Sequence, residues 1–136
     1  MAESVRKVYF AHPMRTYGTK DEARIVGLLR ESGLVVVNPS DYSKEAVRLT
    51  ALAGGGWLSC EVCREKVMEV LFYRLLGECA GVAYWNPFGT CGVRCEVARC
   101  RSLSKPVYDV GIYLENRGPC RINVLLSTFV RSVRER

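Results

Sequence analysis

The sequence predicts an α/β protein of three layers, with a doubly wound, mostly parallel sheet between two sets of helices. Two observations carry this. Short, continuously apolar runs such as VYFA (8–11), LVVV (34–37) and GVAYW (81–85) leave no wet face, as in strands covered on both sides. Stretches with helical spacing separate them, and strands alternating with helices imply a parallel sheet with right-handed crossovers. The order suits a Rossmann-like or flavodoxin-like topology. At 136 residues and 15.3 kDa, one domain over 1–136 buries a substantial core.

In chain order, residues 5–11 read as strand one. Thr19 with Glu22 three residues on forms a capping box, and Ile25, Val26, Leu28 and Leu29 give the next helix its buried stripe, which Gly33 ends. LVVV is strand two, halted at Asn38-Pro39. A helical pattern from Lys44 is broken by a loop at Gly54-Gly55-Gly56, and residues 60–77 form a long helix with Val67, Leu71 and Leu75 on one face. GVAYW is strand three, NPFGTCG a loop, Cys91 to Leu103 a helix and PVYDV (106–110) strand four. A further strand at 121–126 and a terminal helix complete the chain.

In such sheets ligands bind beyond the carboxyl ends of the strands, where strand order reverses. Two loops therefore stand out: AHPMRTYG after strand one, with the only histidine of the chain, and NPFGTCG after strand three. In FGTCGVRCE (88–96), Gly89 and Gly92 permit close backbone approach, and the start of the helix offers N–H groups to an anion. Glu96 follows, where a carboxylate either serves its helix or acts as nucleophile or base.

The HPMRTYGTKDE stretch after strand one, and the strand-three loop followed by a Glu and then Ser104-Lys105-Pro106, resemble the nucleoside 2-deoxyribosyltransferase family over roughly residues 5–110. The resemblance implies that Glu96 is the nucleophile: it would attack the anomeric carbon of a deoxyribosyl group, displace the base and form a glycosyl-enzyme ester. It also implies a substrate-binding set of Tyr9, His12, Pro13, Arg15, Asn86, Gly89, Thr90 and Gly92. His12 would lie near base or phosphate, or else serve as a structural side chain. Arg15 and Arg94 would hold a phosphate by bidentate hydrogen bonds or lie free on the surface. Tyr9 would stack on a base, bond a carboxylate or pack in the core. The chain departs from the family at two acids, having Thr90 and Ala80 there. Glu69 is a substitute from the preceding helix, and Glu22 a simple cap. Family members often complete their sites from a neighbouring subunit, so the resemblance allows a homo-oligomer while the sequence itself is silent on oligomeric state; it implies a nucleoside or nucleotide as small-molecule partner and no cofactor.

Seven cysteines support a rival reading. Cys60 and Cys63 have dithiol or metal-ligand spacing, and Cys91 and Cys95 share a helix face, so a metal or redox protein is the third alternative after an enzyme and a non-catalytic nucleotide-binding module. Structural disulfides or buried thiols need fewer assumptions, and no metal site is assigned. Disulfides inside a cell suit a thermophile, as do few Asn and Gln beside abundant Arg and Val. The net charge is +6, and residues 117–136 hold five arginines and one glutamate. Such an end suits nucleic acid, but with no aromatic platform among the arginines a solvated helix end is preferred. With no run of ~20 apolar residues and no signal-peptide core in MAESVRK, the expected location is cytoplasmic and off the membrane.

Overall fold

The structure is a computed structural model that describes residues 7–52, 71–111 and 119–135. Four strands run parallel in one sheet: β1 (Lys7–Ala11), β2 (Val35–Val37), β3 (Gly81–Tyr84) and β4 (Val107–Asp109), in the order β2-β1-β3-β4. Among the described residues the α-helices are α1 (Lys20–Glu31), α2 (Ser43–Leu52), α3 (Tyr73–Gly77), α4 (Cys91–Ser102) and α5 (Pro119–Arg134). The chain steps from β1 to β2 on one side and to β3 on the other. The reversal of a doubly wound sheet therefore falls between β1 and β3.

Strand alternation explains the layers. Val8 and Phe10 join Ile25, Leu29, Phe129 and Val133 in a core between the sheet and α1 and α5. Tyr9 and Ala11, of opposite parity, join Leu75, Leu76, Val93 and Val97 on the other face, against α3 and α4. Val8 through Ala11 are fully buried, and each such large side chain contributes about 1.5–3 kcal/mol. That is how strands of three to five residues hold a sheet together.

α1 starts as its sequence predicts. The Thr19 side chain accepts the Glu22 N–H at 3.2 Å. The reciprocal half of the capping box is absent: the Glu22 carboxylate accepts from the Gly18 N–H at 3.1 Å instead. The helix ends in a Schellman motif, with Leu34 N–H donating to Leu29 O and Gly33 N–H to Arg30 O, and Gly33 at φ +87°.

Two expectations are corrected. LVVV is not buried on both faces: Leu34 is buried, but Val35 is 44 % exposed, because β2 lies at the sheet edge. Residues 121–126 form no strand but lie within α5, whose Leu126, Phe129, Val130 and Val133 recur at helical spacing and cover the sheet. Arg131 and Arg134 end this helix, where cations complement the dipole. Of the helix expected at 60–77, the described portion ends in α3; residues 60–70, with Val67 and Glu69, and the Gly54–Gly56 loop lie outside the described residues, as do residues 5 and 6 of strand one. Among the described residues no helix is long and apolar enough to cross a membrane.

Gly81 opens β3 where the chain is most crowded. A Cβ there would lie 3.0 Å from the Pro106 carbonyl and 3.1 Å from Val133 Cγ2. Gly81→Ala is therefore expected to destabilise the protein by about 1–3 kcal/mol, read as a lower urea midpoint at unchanged slope.

Candidate active site

The carboxyl ends of β1 and β3 lead into the two loops that flank the reversal. Trp85 N–H donates to Ala11 O at 2.9 Å, extending the ladder one residue past β3 and fixing where the loops diverge. In the second loop Asn86 acts as a clamp. Its Oδ1 accepts from the Thr90 N–H at 2.8 Å and the Thr90 hydroxyl at 2.9 Å, while its Nδ2 donates to Thr90 O at 3.1 Å. Gly89, at φ +62°, lets the chain turn within that ring. Asn86 and Thr90 thus hold the loop closed and deliver the first turn of α4. Gly92 lies exposed in that turn, with open space where a Cβ would stand.

Glu96 belongs to the inward stripe of α4, with Val93, Val97 and Cys100. It is 6 % exposed and accepts a hydrogen bond from the Tyr9 hydroxyl. Burial pushes its carboxyl up to about 8, against the pull of that bond toward the ionised form. Tyr9 titrates well above the usual tyrosine range, by burial first and the nearby Glu96 charge second, so its hydroxyl stays a donor. Tyr17 and Tyr73 are raised in the same way, burial first, with the Glu96 carboxylate among the causes. The carboxyl is thus bonded by one tyrosine hydroxyl, that of Tyr9, and its charge is felt at Tyr17 and Tyr73.

His12 stands on the other face. It shares the parity of Phe10, so its side chain turns toward α1. Its ring stacks on Phe10 at 3.9 Å between centroids, Nδ1 donates to Phe10 O at 2.9 Å, and Nε2 meets Glu22 Oε2 at 2.6 Å. With Nδ1 a donor, a proton lies between Nε2 and the carboxylate. Glu22 is more than a cap: it ties His12 to Gly18 and so fixes the loop that carries Tyr17, whose ring leans on His12 at 5.0 Å.

Pro13 O accepts from the Thr16 N–H and hydroxyl, forming the short turn Met14–Thr16. Arg15 projects from that turn, with its guanidinium 5.3 Å from the centre of the Phe88 ring, so the two loops touch across the crevice. Arg94 is exposed on α4, beside Cys95. Ala80 is half-buried before β3. Asp109 at the end of β4 accepts from Gly111 N–H at 2.8 Å and also bonds Tyr84.

Of the expected residues, the structure joins Tyr9 to Glu96 and Asn86 to Thr90, and turns His12 away toward Glu22. Glu22, Tyr17 and Tyr73 were not assigned to the site from sequence. Parity would have found Glu22, since His12 faces α1; Tyr17 and Tyr73 feel the Glu96 charge only because the tertiary fold brings their elements near it. A groove lined by Ser32, Leu126, Val130, Arg131, Arg134 and Glu135 lies on the opposite side of the sheet from Glu96. Among the described residues no three His, Cys, Asp or Glu side chains gather as metal ligands; Cys60 and Cys63 lie outside the described residues.

The fold and the site define an α/β protein with a buried carboxyl at the sheet reversal. Comparison of the chain with protein-family models, curated proteins and solved structures finds no match.

Proposed function

We propose that this protein cleaves or transfers the N-glycosidic bond of a nucleoside or nucleotide, with Glu96 as nucleophile. The observation that carries the reading is a buried carboxyl, held by the Tyr9 hydroxyl, at the crevice between β1 and β3. In the ionised form, a Glu96 oxygen attacks the anomeric carbon, and the base departs with the electron pair of the glycosidic bond and takes up a proton. Water or a second base then attacks the same carbon and releases Glu96. Tyr9 orients the carboxyl by donating its hydroxyl to it. The resemblance to the deoxyribosyltransferases over HPMRTYGTKDE and the Glu96 helix points to the same chemistry.

Incubation with a panel of 2′-deoxynucleosides and their monophosphates, with chromatography of free base, tests this. Base release from at least one is expected. No release from any, with thermal stabilisation by one, would instead establish a non-catalytic nucleotide-binding module. One observation favours that second reading: burial keeps Glu96 largely protonated at neutral pH, and Thr90 and Ala80 stand where the family has acids.

The enzymatic reading also predicts a pH profile. Because the attacking form is the carboxylate, kcat/KM should climb as pH rises and level off above about 8. Tyr9→Phe removes a bond that favours the carboxylate, so its limb should move to higher pH and kcat/KM at pH 7 should fall about tenfold or more. A profile unchanged in Tyr9→Phe would separate Tyr9 from the chemistry.

A further inference from the structure

The four cysteines whose side chains are described fall into two kinds. Cys79 and Cys100 are buried. Desolvation pushes the Cys79 thiol up to about 12, and the Cys100 thiol donates to Pro106 O at 3.7 Å. Neither is placed to react with a solute. Cys91 and Cys95 are both exposed, one turn apart at the start of α4, with their sulfur atoms 3.8 Å apart.

We propose that Cys91 and Cys95 form a redox modification site, a dithiol that a hydroperoxide converts to a disulfide within α4. Helix geometry places Cα atoms four residues apart at about 6.2 Å, inside the roughly 4.4–6.8 Å span that disulfides use. Side chains on a helix lean toward its N-terminus, which carries Cys95 toward Cys91. The Cβ atoms at this spacing stand about 5–6 Å apart, wider than the roughly 3.8 Å of a formed bridge. Closing the bond must therefore draw in the first turn of α4. That turn is where such a movement is easiest, because its first N–H groups have no partner within the helix. It is also the turn between the Asn86–Thr90 clamp and Glu96.

The chemistry balances with the hydroperoxide as oxidant. The Cys91 sulfur attacks the distal peroxide oxygen, the O–O bond breaks, and an alcohol (water, from hydrogen peroxide) leaves. Cys91 is then a sulfenic acid. The Cys95 sulfur attacks the Cys91 sulfur, the S–O bond breaks, and water departs with the Cys95 proton. Two thiols have lost two hydrogens, and the peroxide has been reduced.

The test uses the reduced full-length chain, treated with an equivalent of hydrogen peroxide, alkylated, and cut after glutamate so that residues 79–96 remain one peptide. The expected product carries Cys91 and Cys95 unalkylated, two hydrogens lighter and restored by dithiothreitol, with Cys79 alkylated once the chain is denatured. In Cys95→Ser, Cys91 should stop at a sulfenic acid that dimedone traps. Alkylation of both thiols after peroxide, a bridge from either to another cysteine or another chain, or sulfinic acid at Cys91 in the wild type would each overturn the proposal.

Discussion

Replacing Glu96 with Gln is expected to abolish base release and, at pH 8 and above, to raise the melting temperature. The two effects share one cause. The Glu96 carboxyl is pushed up to about 8 in the folded protein, from the 4.5 of an exposed glutamate, so the folded state holds its proton more tightly than the unfolded chain. For a raised carboxyl, stability is intact below the unfolded value and is lost as pH rises from about 4.5 towards 8. At about 1.4 kcal/mol for each pH unit, the loss approaches 5 kcal/mol at most, or a fall in melting temperature on the order of 10 °C. Gln keeps an oxygen for the Tyr9 hydroxyl and carries no charge, so its melting temperature should be nearly flat across this window. It has no carboxylate to attack with, so turnover should vanish. Melting curves from pH 5 to 9 and base-release assays read both. Base release retained in Glu96→Gln would sink the nucleophile assignment, and a variant that melts lower than wild type at every pH would show that the carboxyl stabilises the fold.

Glu22→Ala carries the second large effect. The His12 side chain is fully buried, and the alanine would leave Nε2 inside the protein without its carboxylate. Gly18 N–H would lose its acceptor in the same step. Removing one member of a buried pair costs about 3–5 kcal/mol, and the 10 % exposure of the Glu22 side chain places this site near the lower end. Urea denaturation should show it as a lower midpoint. His12→Phe with Glu22→Leu, which removes both polar groups, should lose less than the sum of the single changes. A loss below about 0.5 kcal/mol for Glu22→Ala would show that water replaces the carboxylate freely.

Much of this architecture can be read from residue order. Apolar runs and their helical interludes mark β1, β3, α1 and α4 because continuous burial suppresses polar residues in the strands, and capping chemistry sets helix ends within a residue or two. Leu34–Val37 misleads because an apolar run does not say whether a strand is central or at an edge. Residues 121–126 mislead because isoleucine, valine and leucine suit a strand as well as a buried helix face, and the later Phe129, Val130 and Val133 decide it. The site divides similarly. Glu96 stands out as a carboxyl in the apolar stripe of a helix that starts at a glycine-bearing loop. Its partner Tyr9 does not, since the hydroxyl reaches Glu96 from a strand distant in sequence.

β1 serves two masters. Tyr9 reaches Glu96 from one face of the strand, while Phe10 stacks on His12 from the other and supplies its carbonyl acceptor. Successive residues face opposite ways, so a slip of a single residue would send an aromatic ring without a hydroxyl to Glu96 and a hydroxyl into the core beneath α1. The carboxyl and the histidine pair are therefore not independent modules that variation can adjust one at a time. A shift of register inside Lys7–Ala11 exchanges their partners together, and the loops beyond Ala11 and Tyr84 are pinned in turn, the first by His12 and Gly18 on Glu22, the second by Asn86 on Thr90.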